Sequence, residues 1–274
     1  MRIIYWLELV LAYVLYLSGA YWLRRRRLER DGASVVLVYH RVRGGRAGVG
    51  EMIGEHAFDA QMEYLAEHCR PVKWNGLINA DGKGIQVLVT FDDGYRDFFT
   101  RALPVLERHN IPAVLFAASE LVFNHRLIED TGEPDEDVFP SSEDIEKAVI
   151  SKSVIFGNHT ATHRLLPSLS IKECDDELAK SQAAFHQITG VRSPVFAYPR
   201  GRQEDLRDDV APVLRKHNIK MAFTMVPGLV DADTPTYAIP RIGMSHVNDP
   251  VLFKVKLTGM LCGLVNFKNR LQKQ

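Results

Sequence analysis

Apolar, β-branched runs recur along the chain, with helix-period stretches between them. Val35–Tyr39 is the first. Ile85–Phe91, Ala113–Ala118, Val154–Gly157, Pro194–Tyr198 and Met221–Met225 follow, and Tyr237–Ile242 is a candidate seventh. Short apolar runs bounded by turn residues read as buried strands. His56–His68, Asp97–His109, Ser142–Ile150, Ile171–Thr189 and Gln203–His217 read as helices. Ser170 is placed to cap the fourth of these and Gly190 to stop it. Strands alternating with helices predict a mostly parallel sheet. Six or seven strands suit an α/β fold of the distorted, incomplete (β/α) barrel kind better than an open doubly wound sheet.

The two ends of the chain differ from this pattern. Ile3–Leu23 is apolar and aromatic, interrupted by Glu8, and Arg24–Arg27 follow at once. As one helix it spans roughly 30 Å, about the hydrocarbon thickness of a bilayer. Tyr5, Trp6, Tyr21 and Trp22 lie near its ends, where amphipathic rings favour the membrane interface. No A-x-A-like cleavage site is clear, and the arginines are on the wrong side for a secretory signal. Residues 1–30 are therefore expected to form a single-pass membrane-anchor helix with a basic flank. The alternative is an amphipathic helix on the lipid surface, because Glu8 is costly in hydrocarbon. At the other end, 249–274 carries Leu252, Val255, Leu257, Met260, Leu261 and Leu264 at helical spacing among five basic residues. It reads as a basic amphipathic helix that packs on the domain or lies on an anionic membrane. Residues 33–248 remain as the main folded domain. Within it, Ile128–Asp144 is acidic and broken by Pro134 and Pro140, a solvated loop or a lid.

Composition changes the picture little. Lys+Arg 34 balances Asp+Glu 34, which argues against nucleic acid as a partner. Cys69, Cys174 and Cys262 are far apart with no CxxC pair, and read as reduced thiols, with a single disulfide the alternative.

The candidate chemistry sits at strand ends, where parallel α/β folds collect reactive groups. Asp92 and Asp93 close the Ile85–Phe91 run. Adjacent carboxylates at a buried strand end repel each other and favour a cation. His159 and His163 follow the Val154–Gly157 run, and a helical turn brings residues four apart to one side. Asp93, His159 and His163 together offer oxygen and nitrogen ligands to a divalent ion, leaving Asp92 as a base. In Phe196–Gly201, Pro199 and Gly201 shape a turn whose N–H groups suit an oxyanion, or an ordinary strand-to-helix turn. His40 ends the first strand and either orients a neighbour in the site or is structural.

TFDDG at Thr90–Gly94, HTATH at His159–His163, FAYPRG at Phe196–Gly201 and YHRV at Tyr39–Val42 resemble the polysaccharide deacetylase family, carbohydrate esterase family 4. The match spans about Val35–Ile242 in the family's order. This resemblance implies a hydrolase of carbon–nitrogen bonds in linear amides. It removes N-acetyl, sometimes N-formyl or O-acetyl, groups from sugars. It implies Asp93, His159 and His163 as ligands of a divalent metal, usually Zn2+, and Asp92 as the base that activates water. Tyr198, Pro199 and Arg200 fall in the oxyanion segment, with the N–H near Arg200 as donor. Two features depart from the family: Arg200 stands where a tyrosine is commoner, and the late histidine that serves as general acid has His246 as its nearest counterpart. Arg241 is assigned to orient Asp92 or another carboxylate. The expected partners are a membrane and an N-acetylated glycan or lipid-linked sugar. A small non-sugar amide, or an inactive glycan-binding module, is the alternative. The arginine flank favours a cytoplasmic domain, whereas this family works more often outside, so the membrane side stays open.

Overall fold

A computed structural model describes residues 2–43, 52–77, 83–125, 138–151 and 153–271, without the side chains of 2–4 and 267–271. Most of the acidic stretch read as a loop or lid, 128–137, lies outside the described residues. The strands are β1 (Ala33–Tyr39), β2 (Arg41–Arg43), β3 (Met52–Gly54), β4 (Arg70–Pro71), β5 (Ile85–Asp93), β6 (Ala113–Ala117), β7 (Val154–Asn158), β8 (Val195–Ala197), β9 (Met221–Phe223) and β10 (Ile242–Gly243). Seven form a parallel path in the order β10-β1-β5-β6-β7-β8-β9, and β4 pairs with the start of β5. Every strand run expected from the sequence is present. The last is regular only over two residues. Ile239 bridges Phe223 of β9, and Ile242 pairs with Leu37 of β1. A bent segment through Pro240 thus crosses from one sheet edge to the other, and proline, lacking an N–H, cannot serve a continuous ladder there.

Side chains alternate across each strand, and this parity organises the core. Val36, Leu88, Val114, Phe116, Val195, Ala197 and Phe223 cluster together on one face. Val35, Leu37, Val87, Val89, Phe91 and Leu115 cluster on the other, beneath the helices, as do Phe196, Tyr198 and Ala222 further round. The first set fills the concave inside of the barrel. Its members share parity with Asp92 and His40, the residues that extend β5 and β1 towards the barrel mouth.

The helices covering the outside are α3 (Glu55–His68), α4 (Leu103–Arg108), α5 (Ser119–Asn124), α6 (Ser142–Ile150) and α7 (Ile171–Thr189), with α8 (Ala211–Lys216) after them. Capping boxes at Ser141 and Ser170 start α6 and α7, and Gly190 at φ 75° ends α7. Two expected helices are broken. Asp97–His109 opens with a π turn over Phe98–Ala102 before α4. Gln203–His217 is two 3-10 turns before α8, which carries Pro212 in its first turn, where no N–H is needed. The three cysteines are free thiols.

The single anchor helix expected over Ile3–Leu23 does not form. Helix α1 (Arg2–Leu17) ends at Ser18-Gly19, Gly19 turns to φ 82°, and α2 (Ala20–Asp31) leaves at 78°. No single described helix is long and apolar enough to cross a membrane. The expected single C-terminal helix is likewise two, α9 (Pro250–Leu257) and α10 (Cys262–Leu271), separated at Gly259 with φ 74°. Leu252, Phe253, Val255 and Leu257 are buried, so α9 packs on the domain rather than facing outward.

Candidate active site

Adjacent strand residues normally point to opposite faces, yet Asp92 and Asp93 serve one site. Asp92 has the inward parity of Thr90, and both touch Arg241 inside the barrel. Asp93 has the outward parity of Phe91, but its backbone is left-handed, at φ 72°. Such a conformation is unfavourable for a residue with a Cβ and needs local support. Here Gly94 N–H donates to Asp92 O at 2.9 Å, and Ala118 N–H to Asp93 O at 3.2 Å. Gly94 is itself at φ 92°, and a Cβ there would lie 2.4 Å from Val122 Cγ2. The kink swings the second carboxylate to the mouth beside the first.

Arg241 is fully buried and grips Asp92 with two near-parallel bonds, Nη1 to Oδ1 at 2.6 Å and Nη2 to Oδ2 at 2.7 Å. Its Nε donates to Thr224 O at 2.8 Å, and the guanidinium lies 5.5 Å from the Phe116 ring centre. Bidentate pairing fixes the plane of a carboxylate as well as its charge. Burial pushes Asp92 towards the neutral acid, but Arg241, with His159, outweighs it and holds the carboxyl below its ordinary range. Asp92 is therefore an ionised, fixed acceptor.

Asp93, His159 and His163 each present one donor atom within 4.8 Å of the others. Asp93 Oδ1 lies 3.6 Å from His159 Nε2 and 3.4 Å from His163 Nε2. His159 shares the inward parity of Gly157, and its Nδ1 meets Ala197 O at 2.8 Å. A carbonyl only accepts, so Nδ1 carries a proton and Nε2 is the nitrogen that faces Asp93. Burial, then the neighbouring His159, pushes His163 down to about 4, so its ring is neutral near pH 7. Burial raises Asp93, but contact with His159 and the nearby His40 and His163 bring it well below the usual carboxylate range. One anionic oxygen and two neutral imidazole nitrogens are a donor set that fits a borderline divalent ion such as zinc.

The histidines do not meet on a helical turn, contrary to the reading of their spacing. His159–His163 is an irregular loop, with Thr160 at φ 65° and His163 at φ 59°. Asn158 Oδ1 accepts from Thr160 N–H at 2.9 Å, and Thr160 Oγ1 accepts from His163 N–H at 2.9 Å. Glu177, buried on α7, accepts from the N–H groups of Ala161 and Thr162 at 3.0 and 2.9 Å and from the Thr162 hydroxyl at 2.9 Å. Nothing near HTATH in the sequence announces Glu177. Its only signal is a carboxylate on the inward face of an amphipathic helix, beside Cys174 and Leu178.

The other expected site residues divide. His40 has the parity of Val36 and, in the β1–β5 register, extends to the position opposite Asp92. It is among the groups that act on Asp92, Asp93 and His163. His246 is not among the groups that act most strongly on either aspartate. Its loop follows β10, where its N–H donates to Met52 O at 2.9 Å. Tyr198 does not enter the site. Its outward parity puts the ring against Phe196, its hydroxyl donates to Tyr237 O at 3.1 Å, and its N–H to Phe223 O at 3.0 Å. Burial pushes its phenol up to about 12. The Arg200 side chain also turns away, with Nε donating to the buried Asp205 carboxylate at 2.8 Å. Pro199 is buried, Arg200 is at φ 58°, and the Arg200 N–H donates none of the backbone hydrogen bonds found among the described residues. Gly201 completes this turn, because a Cβ would meet Tyr198 O at 2.9 Å and Met225 N at 3.0 Å.

Comparison with known proteins agrees with this architecture. The Staphylococcus epidermidis poly-β-1,6-N-acetyl-D-glucosamine N-deacetylase is 24% identical over 249 residues, covering 81% of this chain and 82% of its own. Among solved structures, IcaB from Ammonifex degensii superposes with a TM-score of 0.66 at 24% identity, over 83% of this chain and 98% of that one. The Streptococcus pyogenes deacetylase PplD, in complex with acetate, does so with 0.65 at 19% identity, over 78% and 92%. These structural likenesses show the fold. The family model for polysaccharide deacetylase matches residues 79–222, which hold both aspartates, both histidines and the Pro199 turn. The chain belongs to the polysaccharide deacetylase family of hydrolases.

Proposed function

We propose that this protein is a metal-dependent N-deacetylase of a glycan carrying N-acetylglucosamine. The observation that carries the reading is the barrel mouth itself: three converging metal donors beside a buried, ionised Asp92 clamped by Arg241. Asp93, His159 and His163 hold the ion, and zinc suits their chemistry. Such an ion supplies a Lewis acid for an amide carbonyl and acidifies a water molecule. Asp92 takes a proton from the attacking water, with Arg241 fixing the carboxylate that receives it. The Arg200 N–H donates to the oxygen of the tetrahedral carbon as negative charge develops there. His40, opposite Asp92 in the β1–β5 register, returns a proton to the departing amine. The amide C–N bond breaks, and acetate and a free amino sugar leave.

The glycan class follows from the relatives, among which are poly-β-1,6-N-acetyl-D-glucosamine N-deacetylases. The test is acetate release from β-1,6-linked N-acetylglucosamine oligomers, using protein stripped with a chelator and then given zinc, beside Asp92→Asn. Release is expected only with the ion, and not from Asp92→Asn. Release that ignores the chelator, or that survives in Asp92→Asn, would overturn the assignment.

A further inference from the structure

Helix α1 is apolar on both faces. Trp6, Leu7, Val10, Tyr13, Val14 and Leu17 are all exposed, from 40% at Tyr13 to 78% at Leu17. Their spacing is that of one stripe on a helix. Trp22 and Leu23, also exposed, continue it past the bend onto α2. The one charged side chain described on α1, Glu8, turns the other way and meets Lys256 of α9 at 3.3 Å, with both side chains largely buried. A helix on a water-facing surface puts its charge outward and its apolar residues inward. Here Leu9, Ala12, Leu15 and Tyr16 do face the domain, but the outer face is apolar as well and carries no described charge, a patch of the kind that marks an interaction surface.

Charge at the end of the stripe selects the occupant. Helix α2 carries five arginines against Glu29 and Asp31. Arg24 and Arg25 turn to the domain, Arg24 Nε donating to Thr258 O and Arg25 contacting Tyr64 and Glu29. Arg26 and Arg27 stay exposed beside Trp22 and Leu23. An apolar stripe with indoles and a flanking basic cluster matches an anionic bilayer surface. Crossing the bilayer does not fit. Helix α1 has 16 residues, about 24 Å of rise against roughly 30 Å of hydrocarbon, and then bends by 78°. It is also held lengthwise to α9 through Glu8–Lys256 and Tyr13–Asp249.

We propose that α1 and the first two turns of α2 form an in-plane docking surface for an anionic lipid bilayer, with the apolar stripe at the acyl boundary and Arg26 and Arg27 among the headgroups. The chain is then a monotopic membrane protein rather than a single-pass one. This rests on the outer faces of α1 and α2 and is independent of the deacetylase chemistry.

The test is flotation of the full-length protein with phosphatidylcholine vesicles, with and without phosphatidylglycerol. Wild type is expected to float with the anionic vesicles and to be released by alkaline carbonate. A Trp6→Ser/Val10→Ser/Leu17→Ser variant is expected to bind at least about tenfold more weakly. Arg26→Glu/Arg27→Glu should lose the preference for anionic lipid. All replaced side chains are exposed, so unchanged thermal unfolding and acetate release serve as folding controls. Equal flotation of the triple variant would overturn the proposal. Retention through carbonate would instead show a spanning pair. Self-association without lipid, lost in the triple variant, would show that a second copy covers the stripe. Either of the last two also overturns it.

Discussion

At the barrel mouth charge is drawn inward, whereas on α1 apolar surface is turned outward. Both reverse the usual partition of side chains, and each has a different remedy within the chain. Asp92 is compensated by Arg241, a partner assembled in the protein alone. Asp93 instead faces the ring nitrogens of His159 and His163, an opening that a cation fits. On α1 Glu8 pairs with Lys256 and Tyr13 with Asp249, and nothing among the described residues covers the stripe. The lesson is that a reversed partition points to a ligand, and the atoms left uncompensated say which kind. Lone pairs converging within 4.8 Å ask for a metal ion, and an apolar stripe with arginines at its end asks for lipid.

The largest expected effects divide labour at the mouth. Asp92→Asn keeps the shape of the side chain and leaves the three donors intact. It is expected to lower kcat by about 1,000-fold or more, while isothermal titration still finds one ion bound per chain. His159→Ala is expected to lose both the ion and turnover. If Asp92→Asn lost the ion as well, the two adjacent carboxylates would not have separate roles.

Next comes the clamp. Arg241→Leu strands Asp92 as a buried charge without its counter-ion, which costs on the order of 3–5 kcal/mol. The melting temperature should fall steeply. Adding Asp92→Asn to Arg241→Leu should recover much of that loss, since the stranded charge is gone. Independent, additive losses in this double-mutant cycle would show that Arg241 stabilises the barrel through Thr224 and Phe116 rather than through Asp92.

A smaller effect is expected at Glu177. Glu177→Gln turns an NH2 group towards N–H donors that the carboxylate accepted, so the histidine loop loses a strut without losing a ligand. Metal affinity should fall by about 10- to 100-fold, the range typical of residues that support ligands from behind. An unchanged affinity would make the loop self-supporting through Asn158 and Thr160.

How much of this was legible in the sequence depends on how local each cause is. Capping boxes are local, and α6 and α7 begin and end where the pattern predicts. Strand alternation is also local. It puts Tyr198 with Phe196 on the helix side and His40 with Asp92 on the inside, although the FAYPRG motif as a unit points Tyr198 to the site. The loop at His159–His163 is not legible, because spacing by four mimics a helical turn, and the real geometry depends on a carboxylate from another element. The Arg241–Asp92 pair links positions 149 residues apart. Sequence suggests it only as a pairing of unlike charges. At the N-terminus composition alone resembles a membrane span. The break at Gly19 and the inward turn of Glu8 are properties of packing, visible only when α9 is in place.

The smallest expected effect tests the outward-facing side of the comparison. Glu8 and Lys256 are largely but not wholly buried, at 12% and 10% side-chain exposure. Their pairing lies between an exposed ion pair, worth up to about 1 kcal/mol, and a fully buried one. Lys256→Met should therefore cost about 1–2 kcal/mol, because it leaves a carboxylate against the α1–α9 contact. Glu8→Leu/Lys256→Met should restore most of that stability, since both charges are gone and the packing surface becomes apolar throughout. It should also leave vesicle binding unchanged, because neither residue is on the stripe. If the double variant unfolded as readily as the single one, the pair would be positioning α1. If it gained lipid affinity, Glu8 would be facing the bilayer, and the inward-facing charge on which the contrast depends would be lost.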